Sequence, residues 1–342
     1  MIRIAVDCLG GDRSPDAEIE GALLALAAHP DLSVVLFGEE ERIRAFLKER
    51  EEVPEDRIGI VNAPEAVSGE DAPIDAIRMK KGSSMISAIR ALREDETLSA
   101  LVSCGASGVL VGASILRIGR VEGVHRPPFC PILPTMNGGI VGICDSGANV
   151  ETTAEDLLQN ALLGSAYLSC AYGIEHPRVA LLNVGVEAEK GDDLRREAYA
   201  LLSRTAGIRF VGNMESRDLM SGKYDLIVCD GFSGNVLVKT AEGVCLEMLR
   251  KLKRDISSSF FYKLGALLLY PMFKKEKKFM NYQNYGGSVL LGLEKLVVKG
   301  HGSSGAKAVC ASIDLAYRMI DKKLNEQIAV ALASVQKENE NV

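Results

Sequence analysis

The chain has 342 residues, a formal net charge of −6, 47% hydrophobic residues and 25% charged residues. This is the composition of an ordinary globular protein, and an acidic balance argues against a general nucleic-acid binder, which carries a basic excess. A length beyond about 250 to 300 residues predicts one large two-lobed α/β domain over 1–342 with an inserted arm.

Residues 2–6 predict a first strand that ends in Asp7 and the turn Leu9-Gly10-Gly11-Asp12. Ser14 and Pro15 supply an N-cap and a first-turn proline for a helix through Ala28. Strands at 33–37 and 58–61 lie around a charged helix, 39–50. After a loop rich in Gly, Pro and acids, 62–73, two helical pieces, 74–81 and 83–93, are split at Gly82-Ser83-Ser84. Strand 98–103 breaks at Cys104-Gly105-Ala106-Ser107-Gly108 before an apolar helix that runs to Gly119. Residues 129–133 and 140–144, separated by Asn137-Gly138-Gly139, predict an antiparallel pair, with prolines placing the first strand near a sheet edge.

The second of these strands leads into Asp145-Ser146-Gly147-Ala148-Asn149, and a helix capped by Thr152 or Thr153 runs to Tyr172. Strand 178–184 opens loop 185–191, which carries Lys190; helix 192–204 and a short strand, 208–211, follow. Residues 226–229 are too short an apolar run for a helix and read as a buried strand ended by Asp230. Gly231, Ser233 and Gly234 then turn tightly, and helical periodicity resumes at Asn235 and continues to about 254. Strand 296–298, loop 300–305 and helix 306–320 complete the pattern, and 322–342 reads as a charged tail, a frayed helix end.

Strands alternating with helices of ten or more residues imply a mainly parallel open sheet with helices on both faces. Six strands, ending at Val6, Val102, Cys144, Val184, Cys229 and Val298, run into glycine-containing loops. In a parallel sheet these ends share one edge, so the loops are expected to converge on a crevice rich in backbone donors, a natural anion site.

Residues 300–305 match G-x-G-x-x-G, but the acidic residue a dinucleotide site needs would fall in the charged tail, so no NAD and no other cofactor is expected. What survives is His301 with Ser303 and Ser304 at a helix N-terminus, suited to a phosphate or oxyanion. Four histidines lie far apart with no metal-ligand spacing, so no metal is expected. Lys190, in a glycine-flanked loop, is the most informative charge, while Asp7, Asp12, Asp145 and Asp230 stand at strand ends as acid, base or cap groups. Eight cysteines without a C-x-x-C pair read as reduced core residues of a cytosolic protein, and the N-terminus lacks a signal-peptide core.

Taken together, DCLGGD (7–12), GRVEGVHRPP (119–128), DSGANV (145–150), HPRVALLNVG (176–185), EKG (189–191), CDGFSGNVLVKT (229–240), YGG (285–287) and HGSSGAKA (301–308) form a specific signature. With it the chain, from residue 4 to about 311, resembles the bacterial phosphate acyltransferases of phospholipid synthesis. The resemblance implies transfer of a fatty acyl group from acyl carrier protein to inorganic phosphate. It also implies a homodimer with a fold like that of isocitrate and isopropylmalate dehydrogenases, and a downstream glycerol-3-phosphate acyltransferase as a partner. Phosphate itself attacks the thioester in such a reaction, so no protein nucleophile is needed. The implied roles are phosphate charge for Lys190, oxyanion contacts for Asn235 and the Gly234 amide, and proton handling or orientation for Asp230 and His301. Substrate contacts are expected from Gly10, Gly11, Asp12, Ser103, Gly105, Asn149, Gly234, Gly302, Ser303 and Ser304. The chain departs from the family's S-A-G-N-T-G-A with Ser103-Cys104-Gly105-Ala106-Ser107-Gly108-Val109, which removes an amide side chain from one crevice loop.

Residues 256–280, within an arm at about 240–284, place aromatic and apolar residues between basic clusters. That pattern suits peripheral contact with the inner face of an anionic plasma membrane, or a dimer contact. The longest apolar stretch, 264–273, is about half of the roughly 20 residues that span a bilayer. Competing readings are a metal- and NAD-dependent hydroxyacid dehydrogenase, which would need an aspartate cluster, and a non-enzymatic acyl-carrier or membrane-associated scaffold.

Overall fold

The computed structural model describes residues 1–279 and 286–340. In chain order the elements are β1 (Ile2–Asp7), α1 (Asp16–Ala28), β2 (Leu32–Gly38), α2 (Glu40–Lys48), β3 (Ile58–Asn62), α3 (Pro73–Met79), α4 (Ser84–Glu94), β4 (Ala100–Ser103), α5 (Ser107–Arg117), β5 (Phe129–Pro134), β6 (Ile140–Cys144) and α6 (Ala154–Tyr172). They continue with β7 (Val179–Asn183), α7 (Asp193–Arg204), β8 (Phe210–Glu215), β9 (Leu226–Val228), α8 (Gly231–Ser257), α9 (Phe260–Leu268), α10 (Tyr270–Phe279), β10 (Ser288–Leu290), β11 (Leu296–Lys299), α11 (Ala306–Asp321) and α12 (Leu324–Glu340). Tyr285 of the YGG motif and arm residues 280–284 lie outside the described residues.

The eleven strands form one sheet in the order β3-β2-β1-β4-β11-β10-β5-β6-β9-β7-β8. Pairing is parallel except for β11 with β10, β10 with β5 and β5 with β6, so the expected mainly parallel α/β sheet is found. Alternation along the strands feeds both faces: Ile4 and Val6 enter one cluster with α1 and α11, while Ala5 enters another with α4 and α5. On the other half of the sheet, Val228 faces the first of these clusters and Ile227 packs with Val238 of α8.

Three antiparallel pairings in succession reverse the direction of the sheet. Strands β3, β2, β1, β4 and β11 therefore run one way and β6, β9, β7 and β8 the other, which corrects the expectation that six strand ends share one edge. Register restores the convergence for four of them. Lys299, at the end of β11, lies opposite Ser288, which lies opposite Pro131 of β5. From the other side, Phe129 N donates to Asp145 Oδ1 and Ser146 N donates to Phe129 O, just beyond β6. The two sets of ends thus flank β5 about two residues apart, roughly 7 Å at strand rise. Beside them β4 ends level with β11, and β9 level with β6.

Three further expectations change. β5 is central rather than near an edge: Phe129–Pro131 pair with β10 and Ile132–Pro134 with β6, so Pro131 sits at the changeover, where a missing N–H donor costs least. Ser14 does not cap α1. Pro15 holds the N-cap position, and Ser14 Oγ accepts from Gly11 N and donates to Glu18 Oε1. Past Asp321, the expected frayed tail is helix α12, because Leu324, Ile328 and Leu332 recur every four residues and bury one stripe in the core. The capping of α6 by Thr153 is as expected, with Asp156 completing a reciprocal capping box.

Beyond Val238, α8 has no buried residue and leads into α9 and α10 as a projecting arm. Among the described residues no helix is long and apolar enough to cross a membrane.

Candidate active site

A cavity of about 380 Å³ opens where the ends of β4, β6, β9 and β11 meet over β5. Its lining combines apolar residues, among them Phe129, Pro131, Ile132, Leu133, Val238 and Ala308, with the polar and charged Ser107, Ser146, Asn235, Lys239, Lys299 and His301. Such a mixed lining suits a ligand with a hydrocarbon part and an anionic part.

Lys299 is the last residue of β11, and its half-buried side chain donates from Nζ to Cys104 O at 3.3 Å and to Gly300 O. Burial pushes its ammonium below the usual lysine value, with the acidic groups of Cys104, Asp7 and Asp12 opposing and the like charge of Lys239 adding to the shift. Among the described residues no carboxylate pairs with Lys299 or Lys239. A desolvated cation without a counter-charge is unfavourable unless an anion arrives, so this wall is built for one. His301, 44% exposed at its side chain, places Nε2 3.4 Å from Glu242 Oε1 on the same cavity.

Behind the cavity the glycine loops are packed against one another. Asp7 is buried, accepts from Ser84 Oγ at 2.5 Å and Ser103 Oγ at 2.7 Å, and is pushed above the ordinary carboxylate range by burial. It joins the ends of β1 and β4 to the start of α4. Gly10 must be glycine here, since a Cβ would lie 2.5 Å from Gly105 N. Asp12 N donates to Gly302 O at 2.8 Å, tying the first loop to the last. Asp145 is buried and pushed up to about 6 by burial, although it accepts from Phe129 N, Ala148 N, Asn149 N and Asn149 Nδ2.

Of the residues expected from sequence, Asn235, His301 and Ser304 line the cavity. Gly10, Gly11, Asp12, Ser103, Gly105 and Gly302 form the knot behind it, Ser303 is exposed, and Asn149 braces Asp145 and Pro127 O. The Gly234 amide is not open to an oxyanion, because α8 starts at Gly231 and that N–H already bonds Asp230 O. Gly234 instead allows close packing, as a Cβ there would lie 1.9 Å from Asp145 O. Asp230 is the cap of α8, accepting from Ser233 N and pairing with Arg195. Lys190 is exposed on the β7–α7 loop and is not part of the cavity lining, because β7 lies two strands away from β6.

A family model described as "Fatty acid synthesis protein" matches residues 2–327. A phosphate acyltransferase of Halalkalibacterium halodurans is 40% identical over 99% of this chain and 99% of its own length. The chain belongs to the phosphate acyltransferase family. A second family member, from Streptococcus thermophilus, is 43% identical over 96% of this acyltransferase and 97% of its own length. Among solved structures, a phosphotransacetylase from Streptococcus pyogenes superposes with a TM-score of 0.59 at 16% identity, covering 93% of this chain and 94% of that one. A branched-chain phosphotransacylase from Enterococcus faecalis gives 0.58 at 13%, covering 94% and 99%. At these identities the likeness is one of fold.

Sequence reasoning missed Lys299, Lys239, Glu242, Ser107, Ser146 and Arg195 in the acyltransferase. A signal existed for two of them: Asn235, Lys239 and Glu242 are spaced i, i+4, i+7, which puts all three on one helix face. Lys299 was hidden by its place at the end of an apolar strand. Among the described residues of the acyltransferase no group of three or more His, Cys, Asp or Glu is placed to hold a metal ion.

Proposed function

We propose that the protein transfers a fatty acyl group from acyl carrier protein to inorganic phosphate, giving an acyl phosphate for phospholipid synthesis. The observation that carries this reading is Lys299, a half-buried cation without a carboxylate partner among the described residues, lining a cavity that also presents apolar residues. Phosphate sits between Lys299 and Lys239, and the acyl chain lies along Phe129, Ile132 and Leu133. A phosphate oxygen attacks the thioester carbonyl, and the developing oxyanion receives hydrogen bonds from Asn235 and a cavity serine. Asp230 acts through position, fixing the start of α8 and so the placement of Asn235. Incubation with an acyl-carrier thioester, with and without phosphate, should give phosphate-dependent thioester loss and an acyl phosphate trapped by hydroxylamine as the hydroxamate. Thioester loss independent of phosphate, or none, would overturn the reading.

The arm is proposed to serve a homodimer contact and peripheral attachment to the inner membrane face of the cytoplasm. Phe260, Phe261, Leu267 and Leu268 are 70–79% exposed, next to the basic residues Lys251, Lys253 and Arg254. Replacing Phe261 and Leu268 by Asp should abolish sedimentation with anionic vesicles at low salt. A wild-type protein that stays in the supernatant would restrict the arm to the dimer contact, which equilibrium sedimentation reads separately.

A further inference from the structure

The wall that α8 gives to the cavity includes a carboxylate for which phosphate binding has no use. An acid on the same cavity as Lys239 and Lys299 weakens the field that would hold an anion, so its presence calls for another role. Glu242 is 11% exposed at its side chain, and its Oε1 lies 3.4 Å from His301 Nε2. A carboxylate so far removed from water is stabilised only by a partner, and the His301 imidazole lies beside it. The contact spans the two opposed halves of the sheet, since α8 follows β9 and His301 follows β11. It therefore forms only where those halves meet, over the same cavity.

Resting on the acyl-transfer reading above, we propose that Glu242 is a positioning residue for His301: it holds the Nε2–H proton and orients the ring so that Nδ1 carries a proton from the phosphate nucleophile to the departing thiol. The step balances. Hydrogen phosphate attacks the carbonyl carbon, a C–O bond forms, and the phosphate proton passes to Nδ1 while the carbonyl π pair moves to oxygen. As the tetrahedral intermediate collapses, the C–S bond breaks, its electron pair leaves on sulfur, and the proton on Nδ1 passes to that sulfur. Acyl phosphate and free thiol result, and His301 returns to its starting form. During the interval the imidazolium lies against the Glu242 carboxylate, the same division of labour that an acid behind a histidine performs in other acyl transfers.

The test is a leaving-group comparison on wild type, Glu242→Gln, His301→Ala and the double variant. One thioester carries the acyl group on acyl carrier protein, whose alkyl thiol needs the proton. The other carries the same acyl group on thiophenol, whose thiolate leaves without one. With the carrier thioester, Glu242→Gln should lower kcat by about 10- to 100-fold with KM for phosphate changed less than about twofold, and the double variant should be no slower than His301→Ala. With the aryl thioester the Glu242→Gln loss should shrink to less than about threefold. The ratio between thioesters is taken on one preparation, so a partly misfolded variant cancels out of it. Equal losses on both thioesters, or losses that multiply in the double variant, would overturn the role of Glu242 while leaving acyl transfer intact. A wild type that forms no acyl phosphate from either thioester would overturn the acyl-transfer reading itself, and this role with it.

Discussion

Replacing Lys299 by Met should lower kcat/KM for phosphate by about 10²- to 10³-fold, the range for removal of one preorganised charge from a developing anion, roughly 3–4 kcal/mol. Burial already disfavours this ammonium, and the acids that oppose the shift, Asp7 and Asp12, act at a distance without pairing. Its field is thus available to an incoming anion instead of being neutralised by the protein. Methionine keeps most of the stem but lacks the charge and the donors to Cys104 O and Gly300 O. Because removal also relieves the desolvation of an unpaired cation, the urea midpoint should move little, and activity and stability should separate. The companion variant Lys190→Ala, exposed and off the cavity, should change kcat/KM by less than about threefold. A large loss in Lys190→Ala with a small one in Lys299→Met would reverse the assignment and return the phosphate to the β7 loop.

The contrast between these lysines shows what could be read from the residues alone. Strand-to-loop order was legible because a short apolar run followed by glycine and a capping residue has few other solutions, as at residues 226–234 and Asp230. Direction within the sheet was legible only at the antiparallel pair 129–133 and 140–144, found as β5 and β6. No local pattern in 129–144 reveals that β10, far away in sequence, inserts beside β5 and reverses one half of the sheet, and the prolines of β5 pointed to an edge. That reversal decides which loops meet: it sets Lys299 across β5 from the loop after β6, about two residues apart, whereas Lys190 is outside because β7 lies two strands away from β6. His301 is legible because it sits in a glycine turn at a helix start, whereas Asn235 is named only through the family resemblance. Lys239 and Glu242 were passed over because charges on a long amphipathic helix are usually solvated, and only the cavity against α8 distinguishes theirs. Gly234 is expected to carry an open amide, but its helix begins at Gly231 and not at Asn235, where the periodicity starts.

Stability should fall as pH rises from the acid range through neutrality, and Glu18→Gln should remove the part of that fall that Glu18 contributes. Glu18 lies in the first turn of α1 and is 1% exposed. Its Oε1 accepts from Ser14 Oγ at 2.9 Å, while Oε2 has no partner among the described residues. Burial raises its carboxyl from 4.5 to about 7, against the lowering effect of the Ser14 bond and with added repulsion from Asp7 and Asp16. The folded state therefore keeps a proton that the unfolded chain releases near 4.5. Below that pH both states are protonated and the contribution to stability is complete. Between 4.5 and about 7 the folded state binds more protons, so stability declines with rising pH, and above about 7 the loss levels off at about 3 kcal/mol. Asp145, raised from 3.8 to about 6, acts in the same direction but is common to both proteins and cancels in the difference between them. Urea unfolding of the two proteins from pH 4 to 8 should give a variant-minus-wild-type difference that climbs by about 3 kcal/mol and then flattens. The substitution puts an uncharged amide where the carboxyl was, which shifts the whole curve by a constant and leaves its climb unchanged. A difference flat across that range would mean that Glu18 ionises in the fold as readily as in water, and that α1 does not pack onto the loop of Gly11 as tightly as its Ser14 bridge requires.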